Sequence, residues 1–285
     1  MKSKEERLIG GHVSTSGGLY VSVLNAEAIG VNAMQIFGSS PRMWYARIPK
    51  ENEIKTYKAH LAKSGIKAVY LHAAYLVNLA STSQDIYRKS VKSLIDHLTI
   101  AEAIGANGLI FHVGSSKGMD RKKAFKQQVD GMKEILRIVS GKSQLIMENT
   151  AGGGDKIGGT VDELADLFCQ VNSQRVKICF DTAHALESGM IEKYTQKNIK
   201  NLFDEFDKKI GVENIVVIHA NDSKTEYNSH YDRHENVGEG YIGMRGFIEL
   251  AKEKRLARAA WILEVPGFAG EGPDKKNVDI LRSLF

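Results

Sequence analysis

Eight short apolar runs recur along the chain, and six of them end on a histidine or a carboxylate. The runs are L-I-G-G-H-V (8–13), A-M-Q-I-F (33–37), A-V-Y-L-H (68–72), G-L-I-F-H (108–112), Q-L-I-M-E (144–148), V-K-I-C-F-D (176–181), I-V-V-I-H (215–219) and A-W-I-L-E (260–264). Each has the length and the Val/Ile/Leu-rich character of a parallel strand buried on both faces. Between them lie segments in which apolar residues return every three or four positions, most plainly 84–105, where glycine closes the pattern, and likewise 119–140, 161–173, 196–209 and 243–256. Eight strands alternating with helices, without linker, low-complexity tract or fixed repeat, predict an α/β chain. We expect one closed (β/α)8 TIM barrel spanning residues 1–285 as a single domain, with a doubly wound open sheet as the structural alternative. A barrel of roughly 250 residues fits the length of 285.

The run endings are His72, His112, Glu148, Asp181, His219 and Glu264. Nine histidines and 34 acids among 285 residues amount to about one residue in seven, so six such endings among eight runs is far above chance. In a barrel every C-terminal strand end opens onto one face, which draws together residues from distant parts of the sequence. Carboxylates gathered there would repel one another unless a cation sat among them. Imidazoles mixed with the acids point to a transition metal, since magnesium and calcium prefer oxygen shells.

Three more donors follow the strand ends. His184 stands three residues after Asp181 in F-D-T-A-H, and Asp232 with His234 form a D-x-H within H-Y-D-R-H-E-N-V-G-E-G (230–240). Extended backbone turns alternate side chains to the same side, as two ligands of one ion require. Catalytic zinc takes about three protein ligands, so nine donors imply a cluster of up to three ions. Among the other histidines, His60 and His97 fall inside helical patterns as surface or packing residues. His12 could line the mouth as a ligand or a hydrogen-bonding group, and His230 could be simple loop. The glycine-rich 151–160 lacks both the P-loop ending and the dinucleotide spacing, and reads as a flexible connection beside the site.

Composition closes off other classes. Hydrophobic residues at 42%, charged residues at 26% and four prolines describe a folded chain. The charged start M-K-S-K-E-E-R has no signal-peptide core, and no stretch approaches the ~20 apolar residues of a membrane span, so a cytoplasmic protein is expected. Cys169 and Cys179 sit in apolar sequence as reduced core residues, too few for a thiolate-rich zinc site. A net charge of +5 suits an anionic partner such as nucleic acid. Arg121 to Lys126 reads as a solvated helix face.

The motifs I-G-G-H-V-S-T-S-G-G-L, L-H-A-A-Y-L-V-N-L-A, F-H-V-G-S, M-E-N-T-A-G, F-D-T-A-H-A, I-H-A-N-D-S-K, D-R-H-E-N-V-G-E-G-Y-I-G and I-L-E-V-P cover nearly the whole chain. Together they resemble the endonuclease IV family of apurinic/apyrimidinic endonucleases, xylose isomerase-like barrels carrying three zinc ions. The resemblance implies that His72, His112 and Glu148 hold one zinc. It implies that Glu148 bridges to a second, completed by Asp181, His219 and Glu264, and that His184, Asp232 and His234 hold the third. Manganese or another divalent ion could replace zinc in such shells. The implied reaction is zinc-dependent hydrolysis of double-stranded DNA on the 5′ side of an abasic site, leaving a 3′-hydroxyl and a 5′-deoxyribose phosphate, with trimming of 3′-blocked ends. Glu148 would be the catalytic residue that helps orient the nucleophile. Arg42, Tyr75 and Leu76 would be the DNA-contacting residues that fill the gap in the duplex. A monomer, nucleoid-associated in a bacterium, is implied as well. The chain departs from the family pattern at Ala73-Ala74, at Val113 and after Glu264, without losing a donor. Two other readings stand beside this one: a single-metal sugar isomerase or epimerase using Glu148, Asp181, His219 and Glu264, and a non-catalytic DNA-binding module.

Overall fold

Alternation inside each apolar run decides what its strand shows to either side. The computed structural model describes residues 6–285. In chain order it forms β1 (Ile9–His12), α1 (Val21–Ile29), β2 (Ala33–Phe37), α2 (Glu51–Leu61), β3 (Ala68–His72), α3 (Gln84–Ile104), β4 (Gly108–His112), α4 (Arg121–Ile138), β5 (Gln144–Glu148), α5 (Val161–Val171), β6 (Val176–Asp181), α6 (Thr182–Glu187), α7 (Gln196–Lys209), β7 (Ile215–His219), β8 (Asp222–Ser223), β9 (His234–Glu235), α8 (Gly243–Ala251), β10 (Ala260–Leu263) and α9 (Lys275–Arg282). Eight strands close into a parallel barrel in the order β1-β10-β7-β6-β5-β4-β3-β2, and β8 pairs antiparallel with β9 as a separate two-stranded ribbon. The closed order excludes the doubly wound alternative.

Two cores result. Ala33, Ala68, Tyr70, Ile110, Ile146, Cys179, Val217, Ala260 and Ile262 point inward and fill the barrel lumen. The intervening residues, among them Met34, Leu71, Phe111, Met147, Phe180, Ile218 and Trp261, point outward and pack under the helices. The lumen leaves no room on β1: a Cβ on Gly10 would lie 2.4 Å from Ile262 Cδ1 and 2.7 Å from the Ala33 carbonyl oxygen. Continuing the inward set by two residues per strand reaches His12, Gln35, His72, His112, Glu148, Asp181, His219 and Glu264. The same periodicity that fills the lumen therefore builds the mouth.

Several boundaries differ from the sequence expectation. Residues 8–13 and 260–264 form strands only over Ile9–His12 and Ala260–Leu263, so Glu264 stands one residue past its strand. The expected helix 119–140 begins at Arg121 because Asp120 caps it, accepting from Lys123 N at 3.1 Å. The expected 243–256 helix stops at Ala251, and Lys254–Leu256 form a separate 3-10 turn capped by Glu253. Cys169 is exposed on α5 rather than in the core. It is the outward position of an amphipathic helix whose buried face is Val161, Leu164, Ala165, Leu167 and Val171. The segment 151–160 is pinned rather than loose, by Thr150 N to Gly158 O at 3.0 Å, Ile157 N to Gly114 O at 2.9 Å and Ser116 N to Asp155 O at 2.8 Å. Arg121 is half-buried, its guanidinium against Glu163 and the Lys156 carbonyl, while Lys122, Lys123 and Lys126 are exposed as expected. Among the described residues, no helix is long and apolar enough to cross a membrane.

Candidate metal centre

At the mouth, Glu148 is the hub. Its Oε2 lies 3.0 Å from His72 Nε2 and 3.8 Å from His112 Nδ1, and its Oε1 lies 2.9 Å from His219 Nδ1. Glu264 Oε2 and Asp181 Oδ2 approach the same His219 nitrogen at 3.3 and 3.7 Å. Donor atoms of His72, His112 and Glu148 form one group within 4.8 Å of one another, and those of Glu148, Asp181, His219 and Glu264 form a second. Nearer solvent, His184 Nε2 lies 3.3 Å from Asp232 Oδ2, His234 Nε2 lies 3.6 Å from Asp232 Oδ1, and the two Nε2 atoms face each other at 3.4 Å. A tetrahedral shell with bonds of ~2.0 Å has edges of roughly 3.3 Å, so these spacings suit one ion. The structure thus brings all nine sequence candidates into one cluster.

Local folding explains how they are held. Asp181 ends β6 and caps α6, its Oδ1 accepting from His184 N at 2.7 Å, which turns His184 back over the mouth. Asp181 Oδ2 also accepts from Asn221 Nδ2 at 2.7 Å, and Asn221 Oδ1 accepts from Glu264 N at 2.7 Å. The ribbon β8–β9 lifts His234 over the barrel. The turn following β9 depends on Asp222 of β8, whose carboxylate accepts backbone N–H groups of Ser223, Gly238, Gly240, Ile242 and Gly243 at 2.8–3.1 Å.

Four of the five rings have their outer nitrogen committed. A carbonyl oxygen can only accept, so His72 Nδ1 donates to Ala73 O at 2.8 Å, His184 Nδ1 to Asn149 O at 3.0 Å and His234 Nδ1, more weakly, to Glu264 O at 3.4 Å. In the same way His219 Nε2 faces Gln35 Oε1 at 2.8 Å. The inner nitrogens are then the lone-pair atoms that converge, which is how metal-binding imidazoles are oriented.

Charge fits the same purpose. Glu148 and Asp181 are fully buried, and among the described residues no lysine or arginine pairs with Glu148, Asp181, Asp232 or Glu264. Burial works against the Glu148 carboxylate, yet His112, His219 and His184 outweigh it and hold the carboxyl well below its usual range. Burial likewise works against the His184 imidazolium, but Asp181, Asp232 and Glu148 raise it well above the usual value. The neighbouring acids favour the protonated rings of His72, His184 and His219 against burial, and a bound divalent cation would displace such protons. The donor set fits transition-metal ions of the zinc type.

The remaining candidates lie around this cluster. His12 Nδ1 sits 3.2 Å from Glu264 Oε1 and 2.9 Å from Gln35 Nε2, a hydrogen-bonding position at the rim. His97 is buried packing that donates to Ser93 O, and His60 bonds Thr56 O on its helix. His230 takes a left-handed backbone (φ 62°) with its ring against the Ala151 carbonyl. Cys179 is a lumen residue whose thiol burial pushes up to about 12. Tyr75 and Leu76 protrude 65% and 38% exposed, and Arg42 is exposed with its loop joined to theirs by Tyr75 N to Pro41 O at 3.3 Å. Two cavities of about 600 and 530 Å³ meet at Tyr75, His112, His184 and Asp232. Gln35 and Glu187 escaped sequence reading, although a glutamine two residues before the end of its run is an inward position by alternation alone.

Comparison with known proteins adds an independent line. The family model of the xylose isomerase-like TIM barrel matches residues 23–284. A probable endonuclease 4 from Halothermothrix orenii is 35% identical over 275 residues, covering 96% of this chain and 99% of that protein. The crystal structure of endonuclease IV from Thermus thermophilus superposes with a TM-score of 0.84 at 31% identity, over 97% and 98% of the two chains. A D-tagatose 3-epimerase-like protein reaches a TM-score of 0.73 at 18% identity over 97% and 96%, a likeness of fold alone.

Proposed function

We propose, on the premise that this chain belongs to the endonuclease 4 family of xylose isomerase-like TIM barrels, that it is a metal-dependent endonuclease of DNA repair. Its reaction is hydrolysis of the phosphodiester 5′ to an abasic site, giving a 3′-hydroxyl and a 5′-deoxyribose phosphate, with trimming of 3′-blocked ends. The observation that carries this reading is the convergence of inner ring nitrogens and buried carboxylates with no lysine or arginine among the described residues to pair them. His72, His112 and Glu148 would hold one zinc; Glu148, Asp181, His219 and Glu264 a second; His184, Asp232 and His234 a third. Metal held by these residues would supply acidified water and offset charge on the oxygens of an in-line phosphoryl displacement.

The chain's own residues do the positioning. Glu148 belongs to both inner groups, and in this reading it would orient the attacking water. Gln35 fixes His219 by accepting from Nε2 and reaches Glu264 Oε1 through its own amide at 2.5 Å. Tyr75 and Leu76 stand beside the cluster where they can enter the gap left by a missing base, and Arg42 approaches from the neighbouring loop. A site without a base costs least to unstack, so it is the one drawn out to the metals. The net charge of +5 favours a polyanionic duplex. We place the protein as a monomer in the cytoplasm, at the nucleoid in a bacterium.

The quartet Glu148, Asp181, His219 and Glu264 would by itself serve a single-metal sugar isomerase or epimerase, which makes that the second reading. One assay separates them: purified protein with a duplex bearing a single abasic analogue, with and without chelator. We expect metal-dependent nicking 5′ to the analogue; intact duplex under every metal supplement, with ketose turnover, would overturn the proposal.

A further inference from the structure

Glu187 is a carboxylate of the cluster that lies outside the nine donors. It sits on α6 three residues after His184, on the same face, and is fully buried. One of its oxygens lies within 4.8 Å of donor atoms of His184 and Asp232. Its two oxygens have different surroundings. Oε1 accepts from Ser223 Oγ at 2.7 Å, from Arg233 N at 3.2 Å and from Thr225 Oγ1 at 3.4 Å. Oε2 is buried without a hydrogen-bond partner among the described residues. The backbone here is fixed too, since the Glu187 carbonyl accepts from His230 N at 2.9 Å and the Leu186 carbonyl from Asn228 N at 3.0 Å. A buried carboxylate with one oxygen idle and no lysine or arginine partner is costly unless a cation is near.

Resting on the reading that this cluster holds divalent ions, the geometry points to Glu187 as a further protein ligand of the outermost ion, with Oε2 joining His184, Asp232 and His234. Oε1 meanwhile tethers the segment 225–234 that carries two of those ligands. A fourth protein donor would tighten the shell, and expansion to five-coordination would still admit a substrate oxygen. An added carboxylate also makes the shell harder and more tolerant of manganese. The outermost ion is then retained firmly although Asp232, with a side chain 47% exposed, borders solvent.

The test loads full-length protein with Zn2+ and measures ions retained per chain and their transfer rate to a chelator, for wild type, Glu187→Gln and Ser223→Ala. Glutamine keeps an oxygen for the Oε1 contacts but replaces the other by an amide that cannot bind metal. We expect one ion to be held about 10–100-fold more weakly in Glu187→Gln, the others to leave at wild-type rates, and Ser223→Ala to behave as wild type. Wild-type release from Glu187→Gln, or an equal loss in Ser223→Ala, overturns the assignment and leaves the wider reading standing. Wild-type protein that retains no ion overturns both. Should the glutamine variant fail to fold, Glu187→Asp, which withdraws the oxygen by one methylene, gives the same readout.

Discussion

Glu148 shows how a single side chain can organise a site of nine donors. Replacing it with glutamine preserves its shape but removes the charge, and sets an amide N–H2 against a ring nitrogen that needs an anion or a metal on that side. Glu148→Gln is therefore expected to lower nicking of abasic duplex by more than about 100-fold with the far-ultraviolet circular dichroism unchanged, since even outer partners of metal ligands cost 10–100-fold. Activity like that of wild type would show that Glu148 does not orient the nucleophile. The donors were legible in the sequence because six end apolar runs, His184 follows one by three residues, and Asp232 with His234 form a D-x-H in an ionisable loop. Gln35, Asn221 and Glu187 were not, because their roles arise from contacts such as Gln35 with Glu264, 229 positions apart, which no local pattern encodes.

The strands from β2 to β7 were legible to the residue, because both faces of each are buried and the apolar run must be as long as the strand. Helix ends were less so. Their limits depend on capping contacts, such as Asp120 on Lys123 N and Glu253 on Arg255 N, that periodicity does not register. The turn following β9 is the extreme case: its conformation rests on one carboxylate, that of Asp222, receiving four of its backbone N–H groups. Asp222→Asn places an amide donor among those donors, and should cost about 2–3 kcal/mol in urea unfolding. The loss should also fall on the metal proposed for Asp232 and His234, which this ribbon positions, and spare the inner groups. An unchanged unfolding midpoint, or equal weakening of every ion, would contradict that account of the ribbon.

Across the whole molecule, the closed barrel converts eight separated strand ends into one pocket, and the pocket gathers acids whose partners among the described residues are histidines rather than lysine or arginine. Metal binding should accordingly stabilise the fold, by about 2.7 kcal/mol per site at free metal a hundredfold above the dissociation constant. Chelation should lower the thermal midpoint and returning Zn2+ should restore it; a midpoint indifferent to both would mean the cluster is satisfied by protons alone. The cluster's nuclearity distinguishes the endonuclease reading from the isomerase one, because a four-donor quartet serves one ion while nine donors serve several. The most direct measurement is elemental analysis of purified protein shown to nick abasic duplex. More than one and up to three divalent ions per chain are expected, and active protein carrying one ion or none would contradict the shared-metal site.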